Sequence, residues 1–159
     1  MLIYKLRVSI IGIPNVYRIL DASENCTFDD LHEAIFEAFD RFDPHLYSFY
    51  LTKKDTKNIR TIFRSPEITL PDNMDDFLGL NNKEMMSSSE TVIGDLGLAE
   101  KDVFHYIFDF GDEWWHRIRV QSIKEGRDNR TIIELSKSVG KSPEQYPEGD
   151  DDFFDDEDE

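Results

Sequence analysis

A chain of 159 residues with 13% aromatic side chains is long enough for one domain and has enough large apolar groups to fill its core. Its formal charge of −16 sets it against nucleic-acid phosphates, whose binding draws on clustered Lys and Arg. No apolar run approaches the ~20 residues that span a bilayer, and the lone Cys26 excludes an intrachain disulfide or a multi-cysteine zinc knuckle.

These bounds predict a cytoplasmic protein without membrane attachment; Met1 runs directly into a strand pattern rather than a signal peptide. Tyr4, Leu6, Val8 and Ile10 alternate with Lys5, Arg7 and Ser9, the period of a half-buried strand. Gly12, Pro14 and Asn15 punctuate it, and Val16 to Leu20 returns as the second arm of a hairpin. Thr27 can cap a helix whose first turn holds Asp29 and Asp30 at the positive end of the dipole. Leu31, Ala34, Ile35, Ala38, Phe39 and Phe42 continue it at helical spacing.

His45 to Thr52 and Asn58 to Phe63 are the next expected strands, around the polar turn Lys53 to Lys57. Residues 71–90, rich in Asn, Asp and Ser, form a long loop or insertion. Thr91 to Leu98 reads as a helical turn halted by glycine, feeding the aromatic strand Val103 to Phe110. That strand turns through Gly111 and returns over Trp114 to Val120, and Thr131 to Leu135 makes a last strand.

The predicted class is α+β: a mixed sheet with one main amphipathic helix across it and a C-terminal hairpin extension. The order resembles the β-grasp of ubiquitin, most closely from Thr91-Val92-Ile93-Gly94-Asp95-Leu96-Gly97-Leu98 into Val103. One domain spans 1–147. An acidic tail, 148–159, follows; its last ten residues hold eight acids around Phe153 and Phe154 and no base, a composition expected to be disordered.

Three motifs carry a family resemblance: Asp30-Leu31-His32 on the helix, Asp43-Pro44-His45-Leu46-Tyr47-Ser48-Phe49 at a strand start, and Tyr106-Ile107-Phe108-Asp109-Phe110-Gly111-Asp112-Glu113-Trp114-Trp115-His116. In this order they resemble the plasmid pRiA4b ORF-3-like family over residues 4–147. That family is mostly of unknown function, and its mobile-element label implies at most an accessory role. The chain has no nucleophilic serine among arginines, as a serine recombinase requires. It also has Lys141-Ser142-Pro143-Glu144-Gln145-Tyr146-Pro147 where other members carry a cysteine-containing Pro-Pro-Glu-Asp segment.

Alternation assigns Phe104, Tyr106, Phe108 and Phe110 to a core face and His105 to the outer, solvated one; His116 points inward, and His32 falls on the polar flank of the helix. His45, Asp109, Gly111, Asp112, Trp114 and His116 form a candidate cluster with three readings, one of them a polar ligand pocket. In another, Asp109, Asp112 and His116, joined by His45, make a divalent-metal or acid–base site of a metal-assisted hydrolase, although their spacing matches no established ligand motif. In the third the cluster is structural: Gly111 permits the turn, Asp112 binds turn amides, and His116 donates to Asp109 or a carbonyl.

Trp115, Arg117 and Arg119 form an exposed aromatic and basic stripe, which together with Phe153 and Phe154 is the candidate protein interface. No phosphate-binding glycine loop, nucleophile elbow or paired zinc motif occurs. The expectation is a macromolecule-binding module without catalytic residues or a required cofactor, with a protein as its partner.

Overall fold

A computed structural model describes residues 1–70, 84–127 and 129–146. Strand β1, Leu2–Ile10, buries Tyr4, Leu6, Val8 and Ile10 and leaves Ile3, Lys5, Arg7 and Ser9 half-buried, as its period of two dictates. The chain reverses through Gly12 and Asn15, both at positive φ (91° and 65°), into β2, Tyr17–Ser23.

Helix α1, Phe28–Ala38, opens on a capping box: the Asp30 amide donates to Thr27 Oγ1 at 3.0 Å, and the Thr27 amide donates to the Asp30 carboxylate at 3.1 Å. Phe28, Leu31, Ile35 and Ala38 make its buried stripe. The helix stops at Ala38, short of the expected series, and Phe42 lies 70% exposed against the ring of Tyr146.

Strand β3, Tyr47–Tyr50, follows as expected, but Asn58 to Phe63 is no strand. Asn58 accepts from the Thr61 amide and starts a short helix, α2, over Ile59–Arg64. A helix of six residues has little stability of its own; burial of Ile62 holds it in place. Strands β4, Glu67–Thr69, and β5, Met85–Ser87, were not expected. The second falls inside the anticipated insertion, of which 71–83 lie outside the described residues. A 3-10 turn, Ile93–Leu96, ends at Gly97 with φ 62°, the predicted glycine stop. Then come β6, Val103–Phe108, β7, Trp114–Glu125, and β8, Ile133–Val139.

The eight strands form one mixed sheet in the order β5-β4-β3-β6-β7-β1-β2-β8, parallel only between β4 and β5. The class is thus α+β with one main helix, as read. One hairpin is followed by the main helix and then by further strands, and β1 has antiparallel neighbours, β2 and β7, on both sides. No helix among the described residues is long and apolar enough to cross a membrane. The acidic tail lies outside the described residues.

Helix α1 covers one sheet face and closes the main core, where Phe28 meets Phe49 and Phe104 edge-on at 5.1 and 6.1 Å. Such aromatic pairs add about 0.5–1.5 kcal/mol each beyond burial. On the opposite face α2 completes a second, smaller core of Tyr50, Ile62, Ile107 and Trp115. This second core overturns the alternation argument for β6 and β7: both faces there are covered, so His105 is fully buried and bonded to Thr52 Oγ1 at 2.8 Å, and Trp115 is only 8% exposed.

Candidate functional site

Of the hairpin cluster, His116 does point inward, and burial first, then the charge of Arg41, holds its imidazole well below the usual histidine range. Its Nε2 accepts from Arg41 Nη2 at 2.8 Å, so its Nδ1 carries the proton toward the Tyr106 carbonyl, 3.3 Å away. Arg41 is 8% exposed, and its guanidinium lies over the rings of Phe39, Phe108 and Trp114 at 5.1, 5.0 and 5.5 Å. Burial lowers its own pKa to about 10. A lone pair held by a guanidinium inside an aromatic box has no capacity left for a metal ion.

Asp109 and Asp112 stand apart from His116. Asp109, the first residue past β6, adopts φ 65°, and its Oδ1 accepts from the amides of Gly111 and Asp112 at 3.1 and 3.3 Å. It is Asp109, not Asp112, that ties the turn; Asp112 is exposed. The left-handed residue also breaks the alternation, which leaves Phe110 40% exposed instead of in the core. Trp114 packs against the main core with its indole nitrogen buried.

His45 joins the outer end of this turn. Its Nε2 lies 3.4 Å from Asp109 Oδ2 and 2.7 Å from Tyr146 Oη, whose proton goes to Asp43 Oδ2 at 2.6 Å. The structure thus brings His45 to Asp109 but neither to His116. Among the described residues, no group of three or more His, Cys, Asp and Glu side chains is placed to hold a metal ion. The metal-assisted reading therefore has no assembled ligand set among the described residues.

His32, expected at a polar boundary, is buried and stacks on Tyr47 with ring centroids 3.8 Å apart. Tyr106 Oη sits 2.6 Å from its Nδ1, while Tyr47 Oη donates to Asp29 at 2.8 Å. Burial lowers the His32 pKa to about 4, keeping it neutral, and raises those of Tyr47 and Tyr106. These rings are a satisfied polar core that fastens α1 to the sheet.

The structure separates the residues of the expected interface, of which Phe153 and Phe154 lie outside the described residues. Trp115 leaves it, because α2 covers the ring, but Arg117 and Arg119 remain half-buried on the same sheet face beyond α2. Strand pairing shows what the sequence order conceals. Arg119 on β7 stands opposite Arg7 on β1, Arg7 opposite Ile19 on β2, and Ile19 opposite Lys137 on β8.

Three cations therefore lie in one row across four strands, within about 14 Å at ~4.8 Å per strand. Lys5 beside the row is bonded to Asp21 at 2.9 Å and Arg117 to Asp55 at 2.8 Å. No carboxylate among the described residues pairs with Arg7, Arg119 or Lys137; Arg7 instead lies over the ring of Tyr17 at 3.8 Å. Like charges directly opposite, as Arg119 and Arg7 are, destabilise a strand pair. A groove of about 400 Å³ opens beside Arg7 and Arg117, with Ile11, Ile13, Val16 and Tyr17 in its wall. Outward alternation in β1 was a signal for Arg7; nothing in the sequence pointed to Lys137.

Fold and site together define a small α+β sheet protein with a closed polar core and one cationic sheet face. The chain belongs to the plasmid pRiA4b ORF-3-like protein family, whose model matches residues 2–150. It is similar to a crystallised protein of unknown function, MM3350 from Methanosarcina mazei Go1, at 25% identity and a TM-score of 0.69, over 91% of this chain and 73% of that one. No curated protein matches it.

Proposed function

We propose that the protein is a non-enzymatic binding module of the cytoplasm that takes an acidic segment of a partner protein across the Arg119, Arg7 and Lys137 row. The uncompensated row on a chain of charge −16 carries this reading. Repulsion between its members is relieved when carboxylates are brought to them. The eight-stranded sheet supports it as well, because a broad sheet face is a platform for a partner rather than an enclosure for a small substrate.

A protein suits the row better than nucleic acid does. A phosphate backbone needs an extended basic track, whereas here Asp21, Asp55 and Glu134 stand beside the cations. The test is titration with labelled poly-glutamate and with single-stranded DNA of equal charge, using wild type and the double variant Arg7→Glu, Arg119→Glu. Salt-sensitive peptide binding that the double variant abolishes is the expected result. Preference for DNA would assign the row to nucleic acid, and an unaffected double variant would remove the row from function.

A further inference from the structure

We propose that the protein's own acidic C-terminal segment, residues 148–159, docks on this row in the same molecule and so competes with the partner. The inference rests on the row's being a binding surface and adds its regulation.

Three observations favour this occupant. The first is charge: the row and its surroundings present Arg119, Arg7, Lys137 and, at the groove, Lys57, while residues 150–159 hold eight acids and no base. The second is apolar content. Phe153 and Phe154 stand between the two acidic runs, and Ile11, Ile13, Val16 and Tyr17 wall the groove between the cations and the sheet end. Few anionic ligands would use both, and an acidic peptide with a central aromatic pair does.

The third is position. Gln145 is buried and anchored, accepting from the amides of Phe42 and Asp43 at 3.0 and 3.1 Å and donating to the Asp43 carbonyl at 2.7 Å. It lines a crevice with Ile10, Ile11, Ile13 and Trp115; the Asp112 and Glu113 side of that crevice turns an acidic segment away, toward the cationic groove that the same three isoleucines line. The segment therefore departs from the end of the sheet at which the groove begins. Residues 147–159 can extend to about 43 Å at ~3.3 Å each, three times the width of the row.

Tethering makes the competition effective. A segment that alone would bind at about 100 μM, held at about 1 mM by its short tether, occupies the row in about ten molecules of eleven. Neutralising it should tighten poly-glutamate binding about tenfold.

The experiment uses the full chain. In one arm the eight acids of 150–159 are changed to their amides and poly-glutamate affinity is compared with wild type. In the other, Glu159→Cys carries a nitroxide, the native Cys26 being fully buried, and ¹⁵N spectra are recorded. The expected results are the tenfold tightening, together with broadening of the Arg7, Arg119 and Lys137 amides. This broadening should disappear in 1 M salt and survive tenfold dilution. Equal peptide affinity in both proteins, uniform or absent broadening, or broadening lost on dilution would each overturn docking in cis, the last by assigning it to a second copy. If neither protein binds the peptide, the binding-module reading itself fails along with its regulation.

Discussion

Arg41 reaches from just beyond α1 into the core to donate to His116 Nε2 at 2.8 Å, and this single bond fixes both the tautomer and the charge of a histidine that the sequence offered as a metal ligand. The imidazole must stay neutral to accept it. We therefore expect ¹⁵N spectra to show His116 protonated on Nδ1 throughout the range in which the protein is folded. In Arg41→Met the second cause of its lowered pKa is gone while burial remains, so its pKa should rise and still stay under 6.5. An Nε2-protonated ring in wild type would refute the arrangement.

His32 makes a separate prediction about acid stability. Its folded pKa is about 4 against 6.5 for the free residue, so the unfolded chain binds the proton more readily. The contribution is complete above pH 6.5 and is lost as pH falls toward 4. By pH 4.5 the loss is on the order of a few kcal/mol from this residue, and His116 adds to it in the same direction. Urea unfolding at pH 7 and 4.5 measures it, and His32→Phe should flatten the slope between them. An equally steep slope in that variant would place the acid sensitivity elsewhere.

The turn gives a third prediction. Asp109 combines a left-handed backbone with two accepted amide bonds, a pairing that Asn reproduces and Ala does not. Asp109→Ala should cost about 1–2 kcal/mol and Asp109→Asn less than about 0.5. Chemical denaturation of both variants tests it: equal losses would mean that the carboxylate charge, and with it the contact to His45, matters more than the turn.

What the sequence discloses here follows the range of the interactions. Strand β1, helix α1 and the β6–β7 hairpin are written in local periods and caps, and each appears where Tyr4 to Ile10, Thr27 and Gly111 place it. Helix α2 was misread because Ile59, Thr61, Ile62 and Phe63 favour strands by composition, and only burial of Ile62 against Trp115 decides otherwise. The Asn58 cap was the available signal. Strands β4 and β5, at three residues each, are too short for any period. The site follows the same division: Arg117 and Arg119 were visible as an alternating pair, but the row they join depends on pairings of β7 with β1 and β2 with β8, which no local pattern encodes.

Trp115 offers the sharpest separation between stability and binding. Sequence alternation made it an interface residue, whereas the structure places its ring 6.0 Å from Tyr50 and 5.6 Å from Phe63, within the small core that α2 closes. Truncating a buried tryptophan removes these contacts and leaves a cavity, so Trp115→Ala should destabilise the fold by about 3–5 kcal/mol. Trp115→Phe should keep most of that. Because the cationic row lies beyond α2, poly-glutamate affinity of the folded Trp115→Phe protein should match wild type, while Arg119→Ala should weaken it with little change in stability. Loss of affinity in Trp115→Phe at unchanged stability would return the ring to the interface and make the α2 covering incidental to function.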